Sequence, residues 1–264
     1  MRGLWLVFAA WCAVVAAGTI EDAIPDARYR QYGETFAAYT CRLVGTNTDG
    51  NPQIGTCTLI SPHWALTAAH VIEDMTECGV WTAAGHHRID QTFAYRDYVG
   101  EFAEHDIALV HVARPFELAW YPPLTDGSER LGEVCTAAGY GVTGRLSTGF
   151  ANGDNEIRAG TMRLTAMEKS VWVCKIQRGG SPLPFCIAPG DSGGPLWARA
   201  ADGRTVLVGV NSYTAKVGKA PVRSQVGEES GHTRVALYLD WIREVAGELD
   251  KPCNLASCMH AGME

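Results

Sequence analysis

At 264 residues, with 47% hydrophobic and 19% charged side chains, the chain has the composition of an ordinary folded protein and the length for one large domain or two. Those proportions exclude a disordered or fibrous chain. A formal net charge of −7 with no basic stripe excludes the counterion-displacing surface of a nucleic-acid binder, so no nucleic-acid partner is expected.

The amino terminus reads as a secretory leader at 1–18. Arg2 supplies the positive end, residues 4–17 form an apolar run, and Ala16-Ala17-Gly18 offers small residues for cleavage. Those fourteen residues fall short of the roughly twenty that cross a bilayer. No later stretch is apolar for long enough, so stable membrane insertion is not expected once the leader is removed, and the mature protein belongs outside the cell or in a periplasm. Of nine cysteines, Cys12 leaves with the leader. The remaining set (Cys41, Cys57, Cys78, Cys135, Cys174, Cys186, Cys253, Cys258) is even and suits up to four disulfides in an oxidising compartment. They are scattered, with no C-x-x-C pair, which argues against zinc.

Residues 19–33 are polar without clear periodicity. Short β-type runs follow between turn signals, at 38–44, 56–60, 107–112, 134–139, 160–165, 171–176, 195–200 and 205–212, with Asp202-Gly203 as a hairpin turn. The 29 glycines fit such a turn-rich chain. Residues 67–75 have room for one or two helical turns, and the adjacent pair His86-His87 reads as a solvated loop. Pro122-Pro123 marks a crossing between two halves. Trp241, Ile242, Val245, Ala246 and Leu249 share one face of a helix at 237–249. Beyond it lies a tail at 250–264, where Cys253 and Cys258 are close enough in sequence for a local bridge.

Three segments carry chemistry. In Gly190-Asp191-Ser192-Gly193-Gly194-Pro195, glycines on both sides of a serine let the backbone bend sharply and keep bulk away from the hydroxyl. An incoming carbonyl can then reach both the serine and nearby N–H groups. Leu66-Thr67-Ala68-Ala69-His70 ends a strand on a histidine packed among small residues, and a neutral imidazole is what a serine hydroxyl needs to become a nucleophile. His105-Asp106-Ile107-Ala108-Leu109-Val110 places a carboxylate just before an apolar strand, where it can be carried inward and buried to orient an imidazole.

In these segments and their order, His70, Asp106, Ser192, the chain resembles the chymotrypsin/trypsin family of serine proteases over about residues 56–249, with Gly139-Tyr140-Gly141 and Val208-Gly209-Val210-Asn211-Ser212-Tyr213 as further matches. The resemblance implies an all-β fold of two antiparallel Greek-key β-barrels packed face to face with a C-terminal helix. The protease domain would span 19–249, with barrels at about 34–120 and 121–236. It implies a secreted serine endopeptidase in which Ser192 is the nucleophile, His70 the general base and Asp106 the orienting carboxylate. The Gly190 and Ser192 N–H groups would form the oxyanion hole. No cofactor and no metal are implied. The partners are protein or peptide substrates and a proteinaceous inhibitor.

Departures from the family are as telling as the matches. Val71 and Gly55 replace a cysteine pair that usually brackets the histidine strand, and Ala198 replaces another cysteine, whereas Cys174 and Cys186 fit a bridge near the substrate pocket. No basic residue precedes an Ile-Val-Gly-Gly start. Ile20, two residues beyond the expected leader cut, is the candidate for a freed ammonium that would pair with Asp191; Ile24 is disfavoured by Pro25. The substrate pocket would be lined by Cys186, Ile187, Ser212, Tyr213, Thr214 and Ser230. No acidic residue lies between Gly179 and Gly190, which favours a small or medium uncharged side chain before the cut. Against that, Glu228-Glu229 lies near enough in sequence to Ser230 to offer a carboxylate. Two other classes compete: a catalytically silent binding module on the same fold, and a lipase or esterase, whose G-x-S-x-G pattern is met but whose βαβ alternation is absent.

Overall fold

Buried and exposed side chains alternate along much of the chain, as they do in strands that turn one face to a core. A computed structural model describes residues 18–100, 104–216 and 221–247. Strand β1 (Thr19–Ile20) and helix α1 (Asp26–Glu34) come first. Six strands then close into a barrel: β2 (Thr40–Asn47), β3 (Pro52–Leu59), β4 (Trp64–Thr67), β5 (Met75–Thr82), β6 (Gly85–Ala94) and β7 (Ala108–Val112). Their spatial order is β2-β3-β4-β7-β6-β5, with β7 returning to lie beside β4. One helical turn, α2 (Ala69–Ile72), leads out of β4.

The chain leaves the barrel after Val112. Pro123 then accepts a hydrogen bond from Leu207 N–H (2.9 Å) on the way to the second half. That half holds β8 (Val134–Gly139), β9 (Thr143–Arg145), β10 (Gly149–Asn152), β11 (Arg158–Arg163), β12 (Ala166–Glu168), β13 (Val171–Lys175), β14 (Phe185–Cys186), β15 (Pro195–Arg199), β16 (Thr205–Ala215) and β17 (Glu229–Arg234). Seven of them form one sheet, β11-β8-β15-β16-β17-β13-β12, and β1 joins a smaller one, β10-β9-β1-β14. The architecture is the expected all-β class of two β-barrels with a C-terminal helix.

Alternation along β16, reset at Val208 by a bulge in its pairing with β15, explains how the halves dock. Val208 turns into the second half's core beside Phe185, Trp172 and Leu196. Leu207 before the bulge and Val210 beyond it turn the other way, into the first barrel's core of Leu43, Leu59, Leu66 and Leu109. Helix α3 (Leu239–Ala246) closes that same core with Ile242, whose full burial contributes about 2 kcal/mol. It ends at Gly247, which takes a positive φ of 78°. Of the residues expected to extend this helix, 248 and 249 lie outside the described residues, as do Cys253, Cys258 and the leader up to residue 17.

Three sequence expectations need correction. Residues 19–33 are not irregular: they hold β1 and most of α1, which starts directly after Pro25, a residue suited to a helix's first turn. Only Tyr29 and Gly33 of that helix are buried, too narrow a stripe to register as periodicity. His86 and His87 lie in β6, not in a loop, and His87 is buried with its Nδ1 3.1 Å from Arg114 O. The Cys174–Cys186 bridge is not formed. All six described cysteines are free thiols, and that of Cys186 is turned to the Ser230 hydroxyl (3.5 Å). Among the described residues no helix is long and apolar enough to cross a membrane.

Candidate active site

His70 sits in α2, immediately beyond β4. Ala68 and Ala69 are fully buried beneath it, so their small size lets the turn settle onto the barrel. Asp106 stands just ahead of β7. The preceding residue, His105, adopts a left-handed φ of 54°, and Ile107 N–H closes a tight turn onto His105 O (2.8 Å). That turn carries the carboxylate inward, where it is 1% exposed. Asp106 Oδ1 accepts from His70 N–H (2.9 Å), and Oδ2 lies 2.7 Å from His70 Nδ1 and also accepts from Ser212 Oγ. Burial alone would raise the Asp106 carboxyl; the bonds from His70 and Ser212 outweigh it and hold the pKa below the ordinary value. With a proton on Nδ1 facing Asp106, the imidazole presents Nε2 as an acceptor.

The serine loop is shaped by two left-handed glycines, Gly190 (φ 94°) and Gly193 (φ 82°). At Gly193 the requirement is also spatial, because a Cβ there would lie 2.1 Å from Thr67 Oγ1 and 2.3 Å from Thr56 O. Peptide groups are planar, so holding a carbonyl fixes where the N–H on its far side points. Pro189 O accepts from Val142 N–H (2.7 Å), which sets the Gly190 N–H. Asp191 O accepts from Gly194 N–H (3.0 Å) and Asn211 Nδ2 (3.1 Å), which sets the Ser192 N–H. Ser192 itself is half-buried.

Asp191 is fully buried. Its carboxylate accepts from Gly141 N–H and Ala188 N–H (2.8 Å each) and from the backbone N–H of Gly18. Burial pushes its pKa up to about 7 despite those bonds, and the Arg158 guanidinium only weakly opposes the rise. Ile20 is not the residue beside Asp191. Its side chain is 2% exposed in the second half's core, and its backbone pairs with Phe185. Gly18 fits that place because it has a positive φ of 54° and because a Cβ would meet the Phe185 ring at 2.1 Å.

The expected pocket residues divide. Cys186 and Ser230 touch, and Thr214 pairs with Ser230 across β16 and β17. The Tyr213 ring lies against Gly231, where a Cβ would stand 1.9 Å from it. Ser212 instead gives its hydroxyl to Asp106, and Ile187 packs into the second half's core. Thr56, Asn211, Thr233 and Gly18 escaped the sequence reading. Thr233 Oγ1 donates to Asp106 O (2.9 Å). Sequence reading reaches Asn211 only within the matched segment Val208-Gly209-Val210-Asn211-Ser212-Tyr213, and Gly18 only among the small residues at the expected leader cut.

The fold and this cluster define a serine protease domain. The family model described as Trypsin matches residues 33–242, and the chain belongs to that family. Its curated relatives include "Serine protease SSP1" of Scolopendra subspinipes, 26% identical over 75% of this chain and 76% of that protein. "Suppressor of tumorigenicity 14 protein homolog" of Bos taurus is 25% identical over 77% of the chain, and "Serine proteinase stubble" of Drosophila melanogaster 25% over 70%. The chain spans about a quarter (26%) of the length of each of these last two.

Proposed function

We propose that the protein is a secreted serine endopeptidase working through an acyl-enzyme. The Ser192 hydroxyl attacks the scissile carbonyl carbon while His70 Nε2 takes its proton; general-base help of this kind is worth about 10²–10⁴-fold. Negative charge collects on the carbonyl oxygen, between the N–H groups of Gly190 and Ser192, each donor contributing about 10²–10³-fold. The imidazolium then protonates the departing amine, and water releases the acyl group by the same steps in reverse. Asp106 keeps the imidazole oriented and stabilises its cation. The observation that carries this reading is the buried Asp106 carboxylate bonded to both the backbone and the ring of His70. A fluorophosphonate titration with peptide mapping tests it, together with Ser192→Ala. The substituted protein should fold and lose hydrolysis, and turnover retained by purified Ser192→Ala would sink the assignment.

The reading extends to processing. A buried carboxylate needs a cation, and Gly18 already directs its nitrogen at Asp191. A cut between Ala17 and Gly18 turns that amide into an ammonium: water's oxygen goes to the Ala17 carboxylate, and the glycine nitrogen takes up protons. Small residues at Ala16-Ala17 suit a leader peptidase, so removal of the leader and completion of the site become one event. Mass-spectrometric sequencing of the secreted, fluorophosphonate-reactive form should find Gly18 first. A reactive form beginning at Ile20 or Ile24 would contradict it.

A further inference from the structure

One residue of the first barrel grips the serine loop of the second half. The N–H of Thr56, in β3, donates to Ser192 O (2.8 Å), and its hydroxyl donates to Gly190 O (2.8 Å). The same hydroxyl oxygen accepts from Tyr140 N–H (3.3 Å). Thr56 O in turn accepts from Thr67 Oγ1 (2.9 Å), and the residue is fully buried. A backbone N–H is available at nearly any position, but the bridge from Tyr140 to Gly190 needs a hydroxyl here. Gly190 is also the residue most in need of restraint, because without a Cβ and at positive φ it can turn its peptide at little cost.

We infer that Thr56 is a positioning residue for the oxyanion-binding peptides. It clamps the carbonyls of Gly190 and Ser192, which sets the peptides of Asp191 and Gly193; these flank the peptides held at Pro189 O and Asp191 O, so the clamp steadies the turn that presents the Gly190 and Ser192 N–H groups to a forming tetrahedral oxygen. This rests on the protease reading above. An ordinary buried threonine would satisfy its own hydroxyl and no more; Thr56 instead joins three backbone segments from both halves.

Thr56→Val keeps shape and apolar contacts and leaves Gly190 O and Tyr140 N–H unpaired. Loss of one such bond, felt mainly in the transition state, should lower kcat about tenfold with KM little changed. Thr56→Ser should restore it. An unchanged kcat in the valine protein, or a serine protein as slow as the valine one, overturns the proposal. Hydrogen exchange decides it without turnover. Faster exchange at the Tyr140 and Asp191 amides in Thr56→Val supports the clamp, and unchanged exchange removes it. Should the valine protein fail to fold, Thr56→Ala against Thr56→Ser carries the same comparison. Turnover surviving Ser192→Ala would remove the protease reading instead, leaving the exchange result to judge Thr56.

Discussion

Cys186 and Ser230, which the family resemblance puts in the substrate pocket, form a neutral contact, whereas a trypsin-like preference for arginine or lysine would need a carboxylate there. Burial first, then the charges of Glu228 and Asp191, push the Cys186 thiol up to about 12, so it stays protonated at neutral pH. Of the two carboxylates that sequence alone left open as counter-charges, Glu229 adjoins Ser230 in β17 and so leaves the strand on the opposite face, and Glu228 is committed elsewhere. Glu228 is 2% exposed, accepts from the N–H groups of Arg223, Ser224 and Gln225, and pairs with Lys216 at 3.4 Å. A substrate lysine or arginine would enter without a free partner, at the cost of a buried unpaired charge. Fluorogenic peptides differing only before the cut should therefore favour Ala or Val. A preference of about a hundredfold for Arg or Lys would refute this.

Among the elements, α1 is tied to β11 by an ion cluster, beside the burial of Tyr29. Arg158 of β11 has a side chain 1% exposed, with Nε 2.6 Å from Asp26 Oδ1 and Nη2 2.8 Å from Asp154 Oδ2. Arg158→Met breaks the tie between β11 and α1. Asp26 and Asp154 are each about one-third exposed, so water recovers part of the loss. A decrease of about 2–3 kcal/mol is expected, at the low end for a broken buried pair. Urea unfolding checks it, and an unchanged midpoint would show the cluster to be idle. This helix also shows where sequence reading stops. His70, Asp106 and Ser192 were legible because each stands in a local pattern of small or apolar residues. The strands 107–112, 134–139 and 205–212 were legible because both their faces are largely buried. Strands β5 and β6 were not, because their outward faces carry Glu77, Arg88, Asp90 and Gln91. Helix α1 was invisible because what holds it is distant in sequence: Arg158 lies 132 positions from Asp26, and Pro184 lies 155 from Tyr29. Gly18 beside Asp191 and Thr56 beside Gly190 are equally long-range, and no window of sequence contains such a pair.

For the molecule as a whole, the candidate site is a seam. Asp106 belongs to the first barrel but accepts from Ser212 of the second half and, through its backbone, from Thr233. The serine loop belongs to the second half but hangs from Thr56, 134 positions before Gly190. Either half can complete its own strand pairings before these links exist. Contacts so distant in sequence close late in folding, after the loop-closure entropy between them has been overcome. On the proposed protease reading, catalytic competence is then the last property the chain would acquire and the first it would lose. A small slip of one half over the other, too slight to disturb either sheet, would part the serine loop from Thr56 and the His70–Asp106 pair from Ser212.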